Sequence, residues 1–308
     1  MADEPKYDYG LSLRAENIVA RLYINGAPVA FHADLRPMSW YRGVTRYLRS
    51  GTNSITVDYE PINVDTRSYT PHGGVMMYAE LDQSEQSSTQ ARVDLFHGRF
   101  DETAQTLVAS DTHILTGAPL VPQAGTMAGP ERYAVTSVDM NYPDRDSGEH
   151  AQRVAFEFTI ADDTLGTLPQ DGAPELSDTP ELRMALFEAY STLHQSFANS
   201  DTEAYGQQMQ AVLSRFAYVR GAKGREDELL AYQVQNNPLA GTDEERLAPL
   251  PPRLAFETGK LTWGAENRMV GLADAPIAYL GADGQKVRLV EVMFCQGADG
   301  TLFVCHQK

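Results

Sequence analysis

The sequence predicts two domains, an N-terminal all-β sandwich over residues 1–165 and a C-terminal α+β domain over residues 178–308. Three changes of pattern along the chain predict this division. Short strands and turns extend to about Asp163, and the loop Gly166–Ser177 follows. Capped amphipathic helices come next, and from about Leu254 the strand pattern returns. The loop 166–177 is therefore the predicted linker.

In the N-terminal half, an Asn25-Gly26 turn between two apolar runs predicts a hairpin over residues 21–31, because both turn residues tolerate positive φ. The further strands that we predict are Ser54–Tyr59, the pair Val75–Leu81 with Ala91–Phe100, and the pair Arg132–Met140 with Gln152–Ile160. Apolar and more polar residues alternate in the last strand, as in an antiparallel sheet with one buried face. Short strands at this spacing are typical of a β-sandwich.

Part of this half carries a recurrent structural pattern. The residues Leu22-Tyr23-Ile24-Asn25-Gly26 are followed by Leu48, Gly51, Asn53, Ile55 and Val57. This pattern resembles the β-sandwich modules of secreted bacterial proteins. The resemblance implies a fold and no particular chemistry.

Helix signals begin at Asp178-Thr179-Pro180-Glu181, where a capping residue, a proline and an acidic residue come together. Apolar residues then recur at helical spacing to Phe197, and Asn199-Ser200 ends the helix. Asp201 caps a second predicted helix that extends to Phe216, and a third covers Glu226–Gln235.

The segment Pro249–Pro252 is a stiff connector into a meander of strands. We predict these strands at Leu254–Thr262, Val270–Leu280, Lys286–Cys295 and Thr301–His306. Helices followed by a meander predict an α+β domain in which a curved antiparallel sheet packs against two to three helices.

The opening helices, with Ala189-Tyr190 and the break Phe197–Tyr205, and the closing hairpin resemble the NTF2-like (SnoaL-like, cystatin-like cone) family. The resemblance implies a conical cavity between sheet and helices. We expect its lining to include Tyr190, His194, Phe256, Trp263, Tyr279 and Phe294. In the family's enzymes an Asp, His or Tyr does acid–base work, and Tyr190, His194, Asp274 and Tyr279 are the candidates here. None matches a family catalytic motif, so no catalytic residue is assigned.

The two cysteines, Cys295 and Cys305, flank one predicted hairpin. A two-residue Asp299-Gly300 turn would place Phe294 opposite Cys305 and leave the sulfurs on opposite faces. A loop centred one residue later would set the cysteines opposite each other and permit a disulfide. Both interpretations stay open from the sequence.

The net charge of −17 argues against nucleic acid or an anionic membrane as partner. No run approaches the roughly 20 apolar residues of a membrane helix, so we expect no membrane insertion. The start Met1-Ala2-Asp3-Glu4-Pro5 lacks a signal peptide. It favours a mature periplasmic or secreted protein with an added Met, and a cytoplasmic protein is the alternative.

The sequence predicts no metal site and no cofactor. The seven histidines are scattered without an HExxH pair. No nucleophile elbow, P-loop or dinucleotide fingerprint occurs.

One basic segment contrasts with this acidic chain. Residues 35–57 contain no Asp or Glu, and they hold both arginines and aromatic residues, namely Arg36, Trp40, Tyr41, Arg42, Arg46, Tyr47 and Arg49. Arginine and aromatic side chains commonly anchor protein interfaces. The segment either binds a carboxylate-rich partner or neutralises acidic groups within the chain.

These observations favour a non-enzymatic exported protein that binds another protein. Its character is similar to that of bacterial toxin-immunity proteins, which would mask a secreted toxin such as a type VI effector. The alternatives are a small-ligand or carbohydrate-binding protein, with Trp40, Tyr41 and Tyr47 stacking on sugars, and an NTF2-like isomerase or dehydratase. The sequence leaves the oligomeric state open.

Overall fold

The chain divides into two compact units, Met1–Gly166 and Thr167–Lys308. The computed structural model describes residues 8–16, 18–32, 38–61, 69–72, 75–78, 90–101, 106–119, 132–137, 152–160, 165–219 and 224–307. Among these residues the strands pair in antiparallel sheets, and the α-helices lie in the second unit.

The first unit contains eleven strands among its described residues. They are β1 (Asp8–Glu16), β2 (Ile18–Ile24), β3 (Ala27–His32), β4 (Met38–Gly43), β5 (Gly51–Pro61), β6 (Tyr69–His72), β7 (Val75–Tyr78), β8 (Gln90–Asp101), β9 (Thr106–Pro119), β10 (Arg132–Ser137) and β11 (Gln152–Ile160). Their sheet orders are β4-β1-β8-β9, β10-β11-β5-β2-β3 and the pair β6-β7. Face-to-face packing of the two larger sheets as a sandwich stays a prediction.

Two of the predicted strand pairings are confirmed and one is wrong. The hairpin β2–β3 turns at Asn25 and Gly26, which both have positive φ, and β10 pairs with β11. The strand expected to pair with Ala91–Phe100 instead pairs with β6, while β8 lies between β1 and β9. The sequence pattern did not reveal β1 and β9, so the nearest strand in sequence was taken as the partner.

A buried pair of asparagines connects the β2–β3 turn to the start of β5. Asn25 donates to the carbonyl of Tyr47 and to Oδ1 of Asn53, both at 2.8 Å, and its own Oδ1 accepts from the amide of Ser54. Asn53 in turn donates to the carbonyls of Arg49 and Gly51 and accepts from the Arg49 amide. Each side-chain amide is therefore fully hydrogen-bonded although Asn53 is only 1% exposed.

The second unit has five helices and seven strands among its described residues. The helices are α1 (Pro180–Ala198), α2 (Thr202–Gln208), α3 (Gln210–Val219), α4 (Glu226–Asn236) and α5 (Arg253–Thr258). The strands are β12 (Arg246–Leu247), β13 (Leu261–Gly264), β14 (Met269–Leu272), β15 (Ile277–Leu280), β16 (Lys286–Val290), β17 (Val292–Gln296) and β18 (Leu302–Gln307). They form the sheets β12-β15-β16 and β13-β14-β17-β18.

The start of α1 follows its predicted signals. The Thr179 hydroxyl caps it by accepting from the Leu182 amide, and Asp178 instead forms an ion pair with Arg183. A side-chain cap of this kind contributes about 1 kcal/mol. The buried stripe of α1 faces the core and is formed by Leu182, Leu186, Tyr190, Leu193 and Phe197.

The expected count of two to three helices is too low. The predicted second helix is interrupted at Met209 and becomes α2 and α3, and the start of the predicted strand Leu254–Thr262 is the short helix α5. Phe256 of α5 packs edge-on against Phe187 of α1. Arg183 donates to the carbonyls of Phe256 and Gly259 at the end of α5. Tertiary contacts thus stabilise a helix too short to be stable alone.

Most of the predicted linker, the segment 167–177, packs within the second unit, whereas Gly166 belongs to the first. Its residues Leu168, Ala173 and Leu176 are buried. The Leu176 amide donates to the carbonyl of Asn267, and Arg268 donates to the carbonyl of Ala173. This segment therefore belongs to the second unit's fold.

The two sheets of the second unit are joined by one long hairpin, residues 269–296. Seven positions separate Val270 from Ile277, whereas only four separate their partners Phe294 and Val290. The first arm thus carries three extra residues, and each predicted long strand is divided between two sheets.

Tyr190 of α1 lies where this hairpin divides. In the register of the Val270–Phe294 pair, Leu272 would lie opposite Val292. The Tyr190 hydroxyl accepts from the Leu272 amide at 3.3 Å and donates to the Val292 carbonyl at 3.2 Å. A Cβ on Gly271 would approach that hydroxyl to 3.3 Å and the Val292 oxygen to 2.9 Å, so this residue has to lack a side chain. The phenol replaces a main-chain hydrogen bond of the sheet.

The closing hairpin follows neither predicted register. Cys295 lies opposite Phe303, and a bulge follows between Phe294 and Met293. The two cysteines are thus diagonal neighbours with Cα atoms 5.7 Å apart, and they form a disulfide. That distance lies within the range that a disulfide spans.

The asparagine pair gives a test of the first unit. We expect Asn53→Ala to lower the free energy of unfolding by about 3 kcal/mol, because it removes the acceptor of one Asn25 N–H and the hydrogen bonds of the Asn53 side chain to the main chain of Arg49 and Gly51. Chemical denaturation monitored by β-sheet circular dichroism measures the change. Asn199→Ala, at an exposed position after α1, is the control. A loss below 1 kcal/mol for Asn53→Ala would contradict this role.

Candidate functional site

The predicted aromatic cavity is part of the hydrophobic core. The ring of Tyr190 lies 5.7 Å from that of Phe256 and 4.9 Å from that of Phe294. Burial raises the pKa of Tyr190 well above its usual range, so the phenol stays neutral and fixed between the strands. Trp263 is half-buried and packs against the same cluster. These aromatic side chains pack against one another in the core of the second unit.

The four candidate acid–base residues do not form one site. His194 donates from Nε2 to the carbonyl of Ala248 at 2.8 Å, and Asp274 is exposed with an oxygen 2.9 Å from the Lys286 ammonium. Tyr279 is buried, donates to the carbonyl of Leu239, and burial raises its pKa to about 12. Their partners are structural groups of the fold.

The basic segment is described only in part, and that part contacts its own chain. Arg36 and the side chains of Trp40, Tyr41 and Arg42 lie outside the described residues. Tyr47 is buried, and the Arg46 guanidinium lies over its ring at 4.5 Å. Arg49 donates to the carbonyl of Thr52. For Arg46, Tyr47 and Arg49 these contacts favour an intramolecular role.

A pocket of about 210 Å³ lies elsewhere in the second unit, between α4 and β16. The ends of α1 and β18, the helix α2 and the loop after α4 complete its wall. The apolar lining residues are Phe197, Tyr205, Val234, Leu239, Leu289 and Val290. Gln233, Asn237, Arg288 and Gln307 are the polar ones. None of the six residues expected to line a cavity contributes to this pocket.

Packing at Gly206 brings the helix walls of the pocket together. A Cβ on Gly206 would lie 2.5 Å from Cδ2 of Leu230, so α2 and α4 approach closely only because this residue lacks a side chain. On α4, Gln233 follows Leu229 and Leu230 on the half-buried face. The close approach of the helices thus turns Gln233 towards the pocket.

Arg288 is held on the strand side by three contacts. Its guanidinium lies 3.6 Å from the centre of the Tyr279 ring, which is the residue opposite it in β15. It also pairs with Glu245 at 3.0 Å and donates to the carbonyl of Pro238 at 3.2 Å. Because Tyr279 bonds the Leu239 carbonyl, the same group of residues fixes the loop after α4. The strand wall of the pocket is therefore preorganised.

Exposed apolar side chains lie on both elements that flank the pocket, α4 and β16. Leu289 is 45% exposed and also lines it, while Val287 on the same strand and Tyr232 beside Gln233 are 56% and 63% exposed. Val287 and Leu289 share one face because side chains alternate along a strand. In the described part of its sheet, β16 is an edge strand.

Two kinds of feature are absent from the described residues. Within them, no three His, Cys, Asp or Glu side chains are grouped as a metal site would require. None of the helices in this part of the chain has the length and apolar character needed to cross a membrane.

The sequence contained two weak signals for this pocket. Gln233 interrupts the apolar stripe of α4, and Arg288 occupies an inward position of β16. Neither signal specifically predicts a binding pocket, because a half-buried glutamine or arginine usually forms its hydrogen bonds with groups of its own chain.

Comparison of the chain with family models, with curated proteins and with solved structures gives no significant match.

Proposed function

We propose that this protein acts without catalysis, by binding another protein, and that the pocket between α4 and β16 receives one side chain of that partner. The size of the pocket carries this proposal. Sites for drug-sized molecules usually measure about 300–1,000 Å³, whereas a cavity of about 150 Å³ accepts benzene. A pocket of about 210 Å³ therefore fits a single ring or branched side chain.

The surroundings of the pocket support a protein partner. Anchor residues of interfaces enter small pockets, and a rim of less critical contacts excludes water around them. Leu289 is an exposed residue of the pocket lining, and Val287 and Tyr232 add exposed apolar surface on the flanking elements β16 and α4. Within the described residues β16 is an edge strand, and the main-chain groups along such an edge can bind an extended segment.

The concrete form of the proposal is an immunity or inhibitor protein that masks a secreted bacterial toxin, such as a type VI effector. The net charge of −17 supports a basic partner, because opposite charge accelerates association. The second candidate function is the binding of a small free molecule of about the size of one ring, because the same pocket volume would accommodate it.

The rim residue Leu289 gives the direct test. We expect tagged wild-type protein, purified from native-host extract, to retain one stoichiometric protein partner that mass spectrometry identifies. Leu289→Glu should weaken that binding at least tenfold, because it places an uncompensated charge at the rim. Leu254→Glu is the matched control, since Leu254 is 65% exposed on α5 and does not line the pocket.

Equal retention of the partner by Leu289→Glu and wild-type protein would contradict binding at this site. Elution of the wild-type protein alone would contradict the protein partner and direct ligand screening to the pocket.

An exported, periplasmic or secreted location is part of the proposal. The Cys295–Cys305 disulfide supports it, because structural disulfides persist in oxidising compartments and are rare in the cytosol. Both cysteines are almost fully buried, so the bond is protected from small reductants in the folded state.

The location can be tested by differential alkylation in native-host cells. We expect Cys295 and Cys305 to resist a thiol reagent under denaturing, non-reducing conditions and to react after reduction. Cell fractionation should place the protein outside the cytoplasm. Alkylation without prior reduction, with the protein in the cytoplasmic fraction, would contradict export.

A further inference from the structure

Two polar atoms in the pocket lining are buried without a hydrogen-bond partner. They are Oε1 of Gln233 and Nε of Arg288. Buried polar groups in folded proteins are hydrogen-bonded with few exceptions, and each exception is unfavourable. Two such atoms in the walls of one pocket therefore indicate the chemistry of its occupant.

The two atoms have opposite hydrogen-bonding roles. The Gln233 oxygen can only accept, and the Arg288 Nε–H can only donate. The Arg288 guanidinium uses Nη2 for Glu245 and the Pro238 carbonyl, and its Nε–H is a buried donor without a partner. A matching occupant presents one group that both donates and accepts.

The remaining lining restricts that group further. Phe197, Tyr205, Leu239 and Val290 require an apolar body of about ring size. An indole donates but does not accept, aliphatic side chains do neither, and serine or threonine is too small to fill the space. A carboxamide would leave the apolar lining uncovered. A phenol has the ring and a hydroxyl that both donates and accepts.

We propose that the partner's anchoring side chain is a tyrosine. Its ring packs against the apolar lining, and its hydroxyl donates to Gln233 Oε1 and accepts from Arg288 Nε–H. This inference rests on the proposed function and specifies the chemistry that the pocket recognises. Less than 1 Å² of either atom is exposed to water, so lining side chains have to move as the hydroxyl enters.

The test compares p-cresol with toluene, the side-chain analogues of tyrosine and phenylalanine, in NMR titrations of the full chain. We expect p-cresol to bind at least tenfold more tightly than toluene, because only p-cresol forms the two hydrogen bonds. Shifts should centre on the resonances of residues 233–239 and 288–290.

Three variants test whether the preference for p-cresol over toluene depends on Gln233 Oε1 and Arg288 Nε. Gln233→Met and Arg288→Lys each remove one partner of the hydroxyl and should reduce the preference to threefold or less. Gln235→Met is the matched control on α4, because Gln235 is exposed and does not line the pocket, and it should keep the wild-type ratio. Gln233→Met decides the question if Arg288→Lys fails to fold.

Equal affinities for the two probes, or no saturable binding of p-cresol, would overturn the inference. The purification of a native partner and its loss in Leu289→Glu are independent of these titrations. Failure of hydroxyl recognition is therefore distinguishable from failure of the proposed function.

Discussion

The Tyr190 hydroxyl is the contact on which the second unit's architecture depends. It lies between the Leu272 amide and the Val292 carbonyl, two groups that would otherwise bond to each other across β14 and β17. Beyond this point the hairpin carries three extra residues in one arm, and its strands continue in a second sheet. One side chain of α1 thus satisfies both main-chain groups where the ladder ends, which avoids the cost of burying them unpaired.

The bend has a direct consequence for the proposed site. Because β16 leaves the sheet that contains β17, it becomes an edge strand within the described part of its own sheet. There Tyr279 and Arg288 are cross-strand neighbours, and their contacts with Leu239, Pro238 and Glu245 fix the wall of the pocket. These contacts thus hold the main chain around the pocket in place, while entry of an anchor residue requires movement of lining side chains only.

Local signals in the sequence were sufficient for the elements that depend on local chemistry. The Asn25-Gly26 turn and the break after Phe197 appear as predicted, and the helix start predicted at Asp178-Thr179 is capped by Thr179. Elements that depend on long-range contacts could not be predicted from the sequence. Helix α5 forms because Arg183 and Phe187 of α1 contact it. The register of the closing hairpin was not predicted, because turn length alone does not determine it and a bulge lies between Phe294 and Met293. The aromatic residues taken for a cavity lining are core residues, since composition does not distinguish the two. Gln233 and Arg288 were missed because only the fold brings them together.

The stability of Tyr190→Phe tests the central claim most directly, measured by chemical denaturation against Tyr205→Phe. Tyr205 is a matched control because it is also buried, and its hydroxyl accepts a 3.4 Å hydrogen bond from the Gln307 side chain. We expect Tyr190→Phe to lose about 2–4 kcal/mol of unfolding free energy, since two buried main-chain groups lose their partner, and Tyr205→Phe to lose less than about 1 kcal/mol. Equal, small losses in both variants would show that the division of the sheet does not depend on the Tyr190 hydroxyl.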